Sequence, residues 1–573
     1  MSLLKPKIID EKRYKKISRK DIQNKNYTKK NSKNYSKKYK KSKNSKLNKI
    51  SNVNKTYKNS NLNNKNISKE KVKKQIYIPK TFKIFVVVLV IGLIGYISKI
   101  VINFDSSTLK NVFSNNDIKN VDYEKNYSFK MGISKLDTTD KYKTSNIVLN
   151  ELYKLSSIKM LDVKTDYSIE YIALESVEKV SDTVYLANLN KLYDITANDI
   201  KNEINKIVES GNTNIYYDFA FNINDVEQID DTKIKFTLKN KNSYFVYTLV
   251  FPINKDVKNL TFKISDSSSS SINFIRNNDL DNISSINFKS YESTDDMVTD
   301  FRNDKIDMFF ASSDSIMTLI GKHDYNVKKY RDGQCLFLFG NKNSNKYSIK
   351  EVRQAITFSL NRDEIINEVS NSTFYDKIDI PYIYSDIKYR YDVYGADNVL
   401  LSNGWTKTSG IYGKNVNGSY VSLTLKLLVN VNDTNKVKVA EKIKEQVEKN
   451  GIRINIEKLT LEQISEKIAQ NDFDLVLADV YINNYPDISF LNQYVNINDT
   501  VNKKIIQLEN STPENIEKNI LDLQNTIYEE VCVIGIMARN TNIVYQKDIQ
   551  GIEDTNYMKI FNDFSSIVKV KEE

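Results

Sequence analysis

VSLTLKLLVNVNDTNKVKVAEKIKEQVEKNGIRINIEKLTLEQISEKIAQNDFDLVLADV, residues Val421–Val480, changes its apolar period four times. Val421–Val429 reads as a strand and Lys436–Asn450 as a helix. That helix closes on Asn450-Gly451, the pair expected at a left-handed C-cap. Ile452–Ile456, Leu461–Gln470 and Phe473–Ala478 continue as strand, helix and strand. Strands separated by helices of this length pair in parallel and build an α/β lobe. The carboxyl edge of such a sheet is where ligands bind. Asp479–Asp487 follows the last strand, so Asp479, Tyr481, Asn483, Asn484 and Asp487 are the candidate ligand-binding residues.

The same alternation extends upstream. Ile286–Tyr291 and Ile306–Ala311 read as strands flanking a helix at Thr294–Asn303, with Ser293 as its N-cap. Cys335–Phe339 is a further strand, followed by a helix at Ile349–Leu360. Downstream, a helix opening at Thr512-Pro513 leads into a strand at Val531–Ile536. Nearer the N-terminus, Ile147–Leu155 reads as a helix. Phe219–Val226 and Lys233–Leu238 read as strands about an Asp230-Asp231 turn, and Ser265–Ser271 as a low-complexity loop.

The order of several short motifs resembles one family. Tyr330–Asn341 followed by VRQAITFSLNRDEII (Val352–Ile366) is similar to the extracellular solute-binding proteins of the oligopeptide/dipeptide/nickel class, the receptors of ABC importers. Ile195–Ile200, Tyr391-Asp392, Ala396 through Leu400–Trp405, Asp472–Val480 and Asn484–Leu491 continue the match. The resemblance implies a two-lobed fold of the periplasmic-binding-protein kind, with a hinge and an interlobe cleft. Lobe I would take about 144–325 and 530–573, and lobe II about 340–528. It also implies crossing strands side by side at the hinge, with Cys335 and Cys532 as a possible disulfide. Three departures stand out. The glycine-rich loop expected after Pro252 is replaced by the serine run, the lipidated cysteine is absent, and Asn484 stands where peptide-binding members carry an acid that pairs with the ligand ammonium.

Individual residues also have plainer roles. Arg353 reads as a surface or ion-pairing residue, and Trp405 as core. With 2 Cys, no CxxC and a single histidine, His323, neither a His/Cys metal site nor most histidine-based catalysis can be built. His323 reads as a solvated loop residue. No cofactor and no metal are expected.

Ile84–Phe104, IFVVVLVIGLIGYISKIVINF, is 21 residues long and nearly uninterruptedly apolar, enough for a helix to cross a bilayer. Residues 1–80 hold 27 Lys/Arg and 4 Asp/Glu, a net +23 out of +13 for the whole chain, leaving −10 for the rest. Basic flanks stay cytoplasmic. The expected layout is a disordered basic tail (1–80) against anionic lipid, a transmembrane helix (84–104), a polar stalk (105–143) and an extracellular solute-binding domain (144–573). Nothing at fixed spacing in the tail supports nucleic-acid binding.

The expected function is a membrane-anchored receptor, not an enzyme, that captures a peptide or peptide-like solute for an ABC permease in the same membrane. The rival is a receptor or scaffold that keeps the fold for sensing or envelope assembly without transport. A transpeptidase reading rests on SxxK at Ser107–Lys110 and Ser156–Lys159, with no KTG or KSG following either.

Overall fold

The computed structural model describes residues 122–571 apart from 256–259, 278–281, 313, 370–373, 417, 490, 492–498, 512–514, 557–558 and 562–563. The tail, the segment Ile84–Phe104 and the start of the expected stalk lie outside the described residues. Among the described residues no helix is long and apolar enough to cross a membrane.

One mixed sheet of 11 strands runs through the molecule. Its strands are β1 (Tyr127–Ser134), β2 (Phe262–Ser267), β3 (Ser271–Arg276), β4 (Ile283–Tyr291), β5 (Met308–Ala311), β6 (Tyr325–Gly340), β7 (Tyr375–Lys377), β8 (Thr424–Asn430), β9 (Arg453–Leu459), β10 (Leu475–Tyr481) and β11 (Ile534–Gln546). The order is β9-β8-β10-β6-β11-β5-β1-β4-β3-β2, with β7 also on β11. β8, β9 and β10 are mutually parallel, as are β1, β4 and β5. The long antiparallel strands β6 and β11 join the two parallel sets. β10 is antiparallel to β6, and β5 is antiparallel to β11, so the two sets run toward each other. β10 ends at Tyr481, opposite Gln334, and β5 ends at Ala311, opposite Asn542. The stretch of β6 between those levels, about 330–333, bridges two facing carboxyl edges.

That bridge is irregular. Register shifts between Arg331 and Cys335, and Gly333 has φ +89, a conformation that glycine adopts without a Cβ penalty. Beyond the bridge, toward β10, both strands are packed on each face. Phe337, Leu338 and Phe339 of β6, and Ile534 and Ile536 of β11, are fully buried. On the β8–β10 side, helices Thr434–Lys449 and Lys350–Ser359 bury Val439, Ala440, Ile443, Val352, Ala355 and Ile356, the 3.6-residue pattern of a core-facing stripe. A separate four-stranded antiparallel sheet (Leu174–Ser181, Val184–Leu189, Lys233–Leu238, Ile223–Gln228) packs into the same large core.

The two ends of the described chain are stitched together. Glu124 N–H donates to the Lys569 carbonyl at 2.8 Å, Tyr123 bridges to Val570, and the Lys571 ammonium meets Asp122 at 2.9 Å.

Several expectations are corrected. The stalk does not extend to residue 143, because Phe129, Met131 and Ile133 alternate with polar residues and form the inner face of β1. Phe219 and its neighbours are helical (Tyr217–Asn222), and the strand begins only at Ile223. The serine run is the turn of the β2–β3 hairpin, closed by Ser268, whose hydroxyl accepts from the backbone N–H groups of Ser270 and Ser271. His323 is not solvated: its ring shares a hydrogen bond with Gln546 at 2.8 Å and meets Phe301 edge-on. The expected helix start at Thr512-Pro513 falls outside the described residues; the helix is described as Ile516–Glu530.

Candidate functional site

A polar cavity of about 110 Å³ lies at the carboxyl edge of the β8–β10 set, beside the bridge. Gln334 and Leu336 of β6, Met537 and Arg539 of β11, Tyr375 of β7 and Asp479 of β10 form its sheet side. Asp433, Asn435 and Lys436 close it from the first turn of the helix after β8. Local sequence explains each placement. Alternation puts Gln334 and Leu336 on one face of β6, and pairing sets Asp479 opposite Leu336 and Tyr375 opposite Arg539 on the same side. Asp433 is the N-cap of Thr434–Lys449, its carboxylate accepting from Lys436 N–H at 3.0 Å.

Two ion pairs organise the charge. The Lys436 ammonium contacts Asp479 and also lies 3.1 Å from Asp433. Burial works against that ammonium, but Asp479 and then Asp433 more than offset it and hold its pKa above the ordinary lysine value. Across the cavity the Arg539 Nε donates to Asp332 at 2.5 Å. Asp332 also accepts from Gln334 N–H at 3.1 Å and from the Thr541 hydroxyl at 3.2 Å. Asp332 thus accepts three hydrogen bonds while nearly buried, and it fixes the arginine.

The candidate residues separate into two groups. Asp479 lines the cavity, but Lys436 already neutralises it, so it is neither a free ammonium anchor nor a turn cap. Tyr481 lies over the bridge, where a Cβ on Gly333 would come within 2.9 Å of its ring. Burial, followed by the nearby Asp332 charge, raises the Tyr481 hydroxyl above the usual tyrosine range. Asn483, Asn484 and Asp487 continue away from the cavity lining. Tyr485 between them packs against Tyr244 and Phe219, with ring centroids 6.0 and 6.3 Å apart. Asp487 caps its own turn, accepting from Ser489 N–H at 2.7 Å and from its hydroxyl at 2.8 Å.

The cysteines are both buried free thiols. Cys335 stands opposite Ala538, whereas Cys532 precedes Ile534, which stands opposite Leu338. That offset of several residues, at ~3.3 Å each, puts the sulfurs beyond disulfide reach. Burial pushes the Cys532 thiol up to about 12.

Sequence reading missed Asp332, Gln334, Tyr375, Asp433, Asn435, Lys436 and Arg539. Signals existed for three of them. Asp332-Gly333 inside an apolar run marks a bulge, Asp433 precedes a helical pattern as a cap, and Arg539 is the single charge in IGIMARNTNIVYQ. Trp405 is core, as expected, at 1% exposure. Arg353 binds the carbonyls of Glu530 and Val531 rather than a carboxylate, so it ties two helices together.

Two parallel strand sets facing each other across a pair of crossing strands, with a polar cavity at the crossing, define a two-lobed binding protein. Residues 193–501, more than half the chain, match bacterial extracellular solute-binding proteins, family 5 middle, and the chain belongs to that family. That family comprises extracellular solute receptors rather than enzymes. Oligopeptide-binding protein AppA of Bacillus subtilis is 27% identical over 170 residues, a match covering 26% of this chain and 30% of that relative. Among solved structures, the periplasmic murein tripeptide binding protein MppA in its unliganded open form aligns with a TM-score of 0.65 at 12% identity, covering 79% of this chain and 99% of that one. A nickel ABC transporter protein from Bacillus halodurans aligns at 0.64 with 14% identity, covering 77% and 99%. At these identities the structural likeness speaks for the fold.

Proposed function

We propose that the chain is a membrane-anchored receptor that captures a peptide or peptide-like solute and passes it to an ABC permease in the same membrane. The observation carrying this reading is the polar cavity at the junction of two opposed carboxyl edges, where hinge motion about β6 and β11 would open and close it. The relative found by sequence is an oligopeptide-binding protein, while the structural relatives include both peptide and nickel proteins, so the residues of the cavity decide. His323 is committed to Gln546 and is no part of the cavity, and among the described residues no cluster of three His, Cys, Asp or Glu could hold a cation. Anchoring would come from Ile84–Phe104, with residues 1–80 cytoplasmic against anionic lipid. Lobe I would comprise β1 through about residue 325 and about 530–571, lobe II about 340–528. Asp479 and Tyr481 would contribute to the cleft, and Asn483, Asn484 and Asp487 to its margin.

Mass spectrometry of small molecules released from the purified full-length protein tests the solute class: peptides should be recovered. Recovery of a non-peptide solute alone would replace the peptide reading. Protease shaving of intact cells tests the anchor, and release of peptides from 1–80 in place of the receptor domain would reverse the topology.

A further inference from the structure

We infer that Arg539 is the anchor for a carboxylate on the solute, with Asp332 as its positioning residue. The inference rests on the cavity being the solute site. Its basis is a count of which polar groups around the cavity are already engaged. Lys436 is spent on Asp479 and Asp433, and those two carboxylates are spent on it. Arg539 is bonded through Nε alone, to Asp332. Among the described residues its two terminal nitrogens have no partner, and Arg539 is 31% exposed where it lines the cavity. An arginine held at Nε presents its far edge as a planar pair of donors, the shape that a carboxylate accepts in two parallel bonds.

The neighbouring groups reinforce that reading. The Gln334 carboxamide, the Asn435 carboxamide and the Tyr375 hydroxyl line the same cavity and are likewise without side-chain partners among the described residues. All three are neutral groups that can donate. The unengaged inventory is thus one cationic fork and three neutral polar groups, with no free carboxylate. A carboxylate reaching the free edge of Arg539 breaks none of the ion pairs the cavity already holds, whereas an ammonium there would face the guanidinium. The volume, about 110 Å³, is well below the ~300–1,000 Å³ of pockets that enclose a whole small molecule. The cavity therefore takes one acidic end of the solute, while the remainder lies in the cleft outside it.

Titration calorimetry of the full-length protein in detergent with trialanine and with trialanine amide tests this directly and needs no variant. The acid should bind at least tenfold tighter than the amide. Arg539→Gln should bring the acid down to the affinity of the amide and leave the amide unchanged; Arg539→Lys, a point charge without the fork, should recover only part of the difference. Equal binding of acid and amide, or a preference that persists in Arg539→Gln, would overturn the anchor and leave the peptide reading standing. If neither peptide binds, the peptide reading fails for these probes and the anchor is judged on glutarate and citrate. Binding of either by the wild type and its loss in Arg539→Gln would keep the anchor, and no response to any of the four probes would discard it.

Discussion

At the scale of single residues, the bridge between the lobes depends on a glycine. Gly333 has φ +89, and a side chain there would both strain the backbone and meet the Tyr481 ring. Backbone strain should dominate, since Tyr481 is 38% exposed and its ring has room to shift. Gly333→Ala is expected to cost about 1–2 kcal/mol in chemical denaturation. The added change Tyr481→Ala should not restore it, and substantial recovery would show that contact rather than φ sets the cost. On β11, Asn542 is fully buried and neither polar atom of its carboxamide has a partner among the described residues. Asn542→Leu, similar in volume, should therefore be neutral or stabilising by ~1 kcal/mol; a loss of that size would mean the amide is hydrogen-bonded in solution. Asp300 illustrates the opposite situation. The Lys289 bond, aided by Tyr291 and Lys305, holds its carboxyl down to about 2. Its pKa is depressed relative to an unfolded value of about 3.9, so its contribution is complete above that value and fades as the pH falls through about 2. Asp300→Asn should be less stable than wild type at pH 7, by at most about 1 kcal/mol in chemical denaturation, and the gap should close toward pH 2. A gap independent of pH would assign the loss to packing.

At the scale of elements, Asp433 serves both the helix Thr434–Lys449 and the cavity. Asp433→Ala should cost ~1–2 kcal/mol of stability through the lost cap. It should cost more than Asp433→Asn, which keeps an acceptor for Lys436 N–H; equal losses would make the Lys436 ion pair the larger contribution. Amphipathic helices such as Lys436–Asn450 were legible within a residue or two because their apolar stripe is set locally. The paired parallel strands of the β8–β10 set were legible because buried strands are short apolar runs bounded by helices. The crossing strands were legible only in part. Cys335–Phe339 is the apolar third of a strand that starts at Tyr325, and the polar remainder gains its partners only from β11, more than 200 residues away in the chain. β1 was concealed for a similar reason, since YSFKMGIS looks polar until its alternating face is set against β4 and β5. The site was half legible. The carboxyl edge of β10 pointed to Asp479, which lines the candidate cavity, but Arg539, Asp332 and Lys436 converge from three separate elements, and no spacing in the sequence encodes that.

At the scale of the whole molecule, the lobes are two ends of one hydrogen-bonded sheet rather than two bodies joined by a linker. Rotation between them would be absorbed where pairing is irregular, at the register shifts between Arg331 and Cys335 and between Leu336 and Phe337. Ligand grip and hinge geometry share residues there, because Asp332 holds Arg539 from within the bulge. The stitched ends have a separate consequence. Asp122 and Lys571 touch, so a short linker could join them without disturbing the fold, and the serine turn at 268–270 is exposed. A circular permutant opened at Ser269, with Asp122 joined to Lys571, should fold with a melting temperature close to that of the unpermuted fragment 122–571; failure of the permutant alone to fold would show that β2 and β3 must be made as one continuous hairpin. Such a rewired chain would carry its new ends on a β-hairpin far along the chain from the cavity residues, ready to accept a reporter domain.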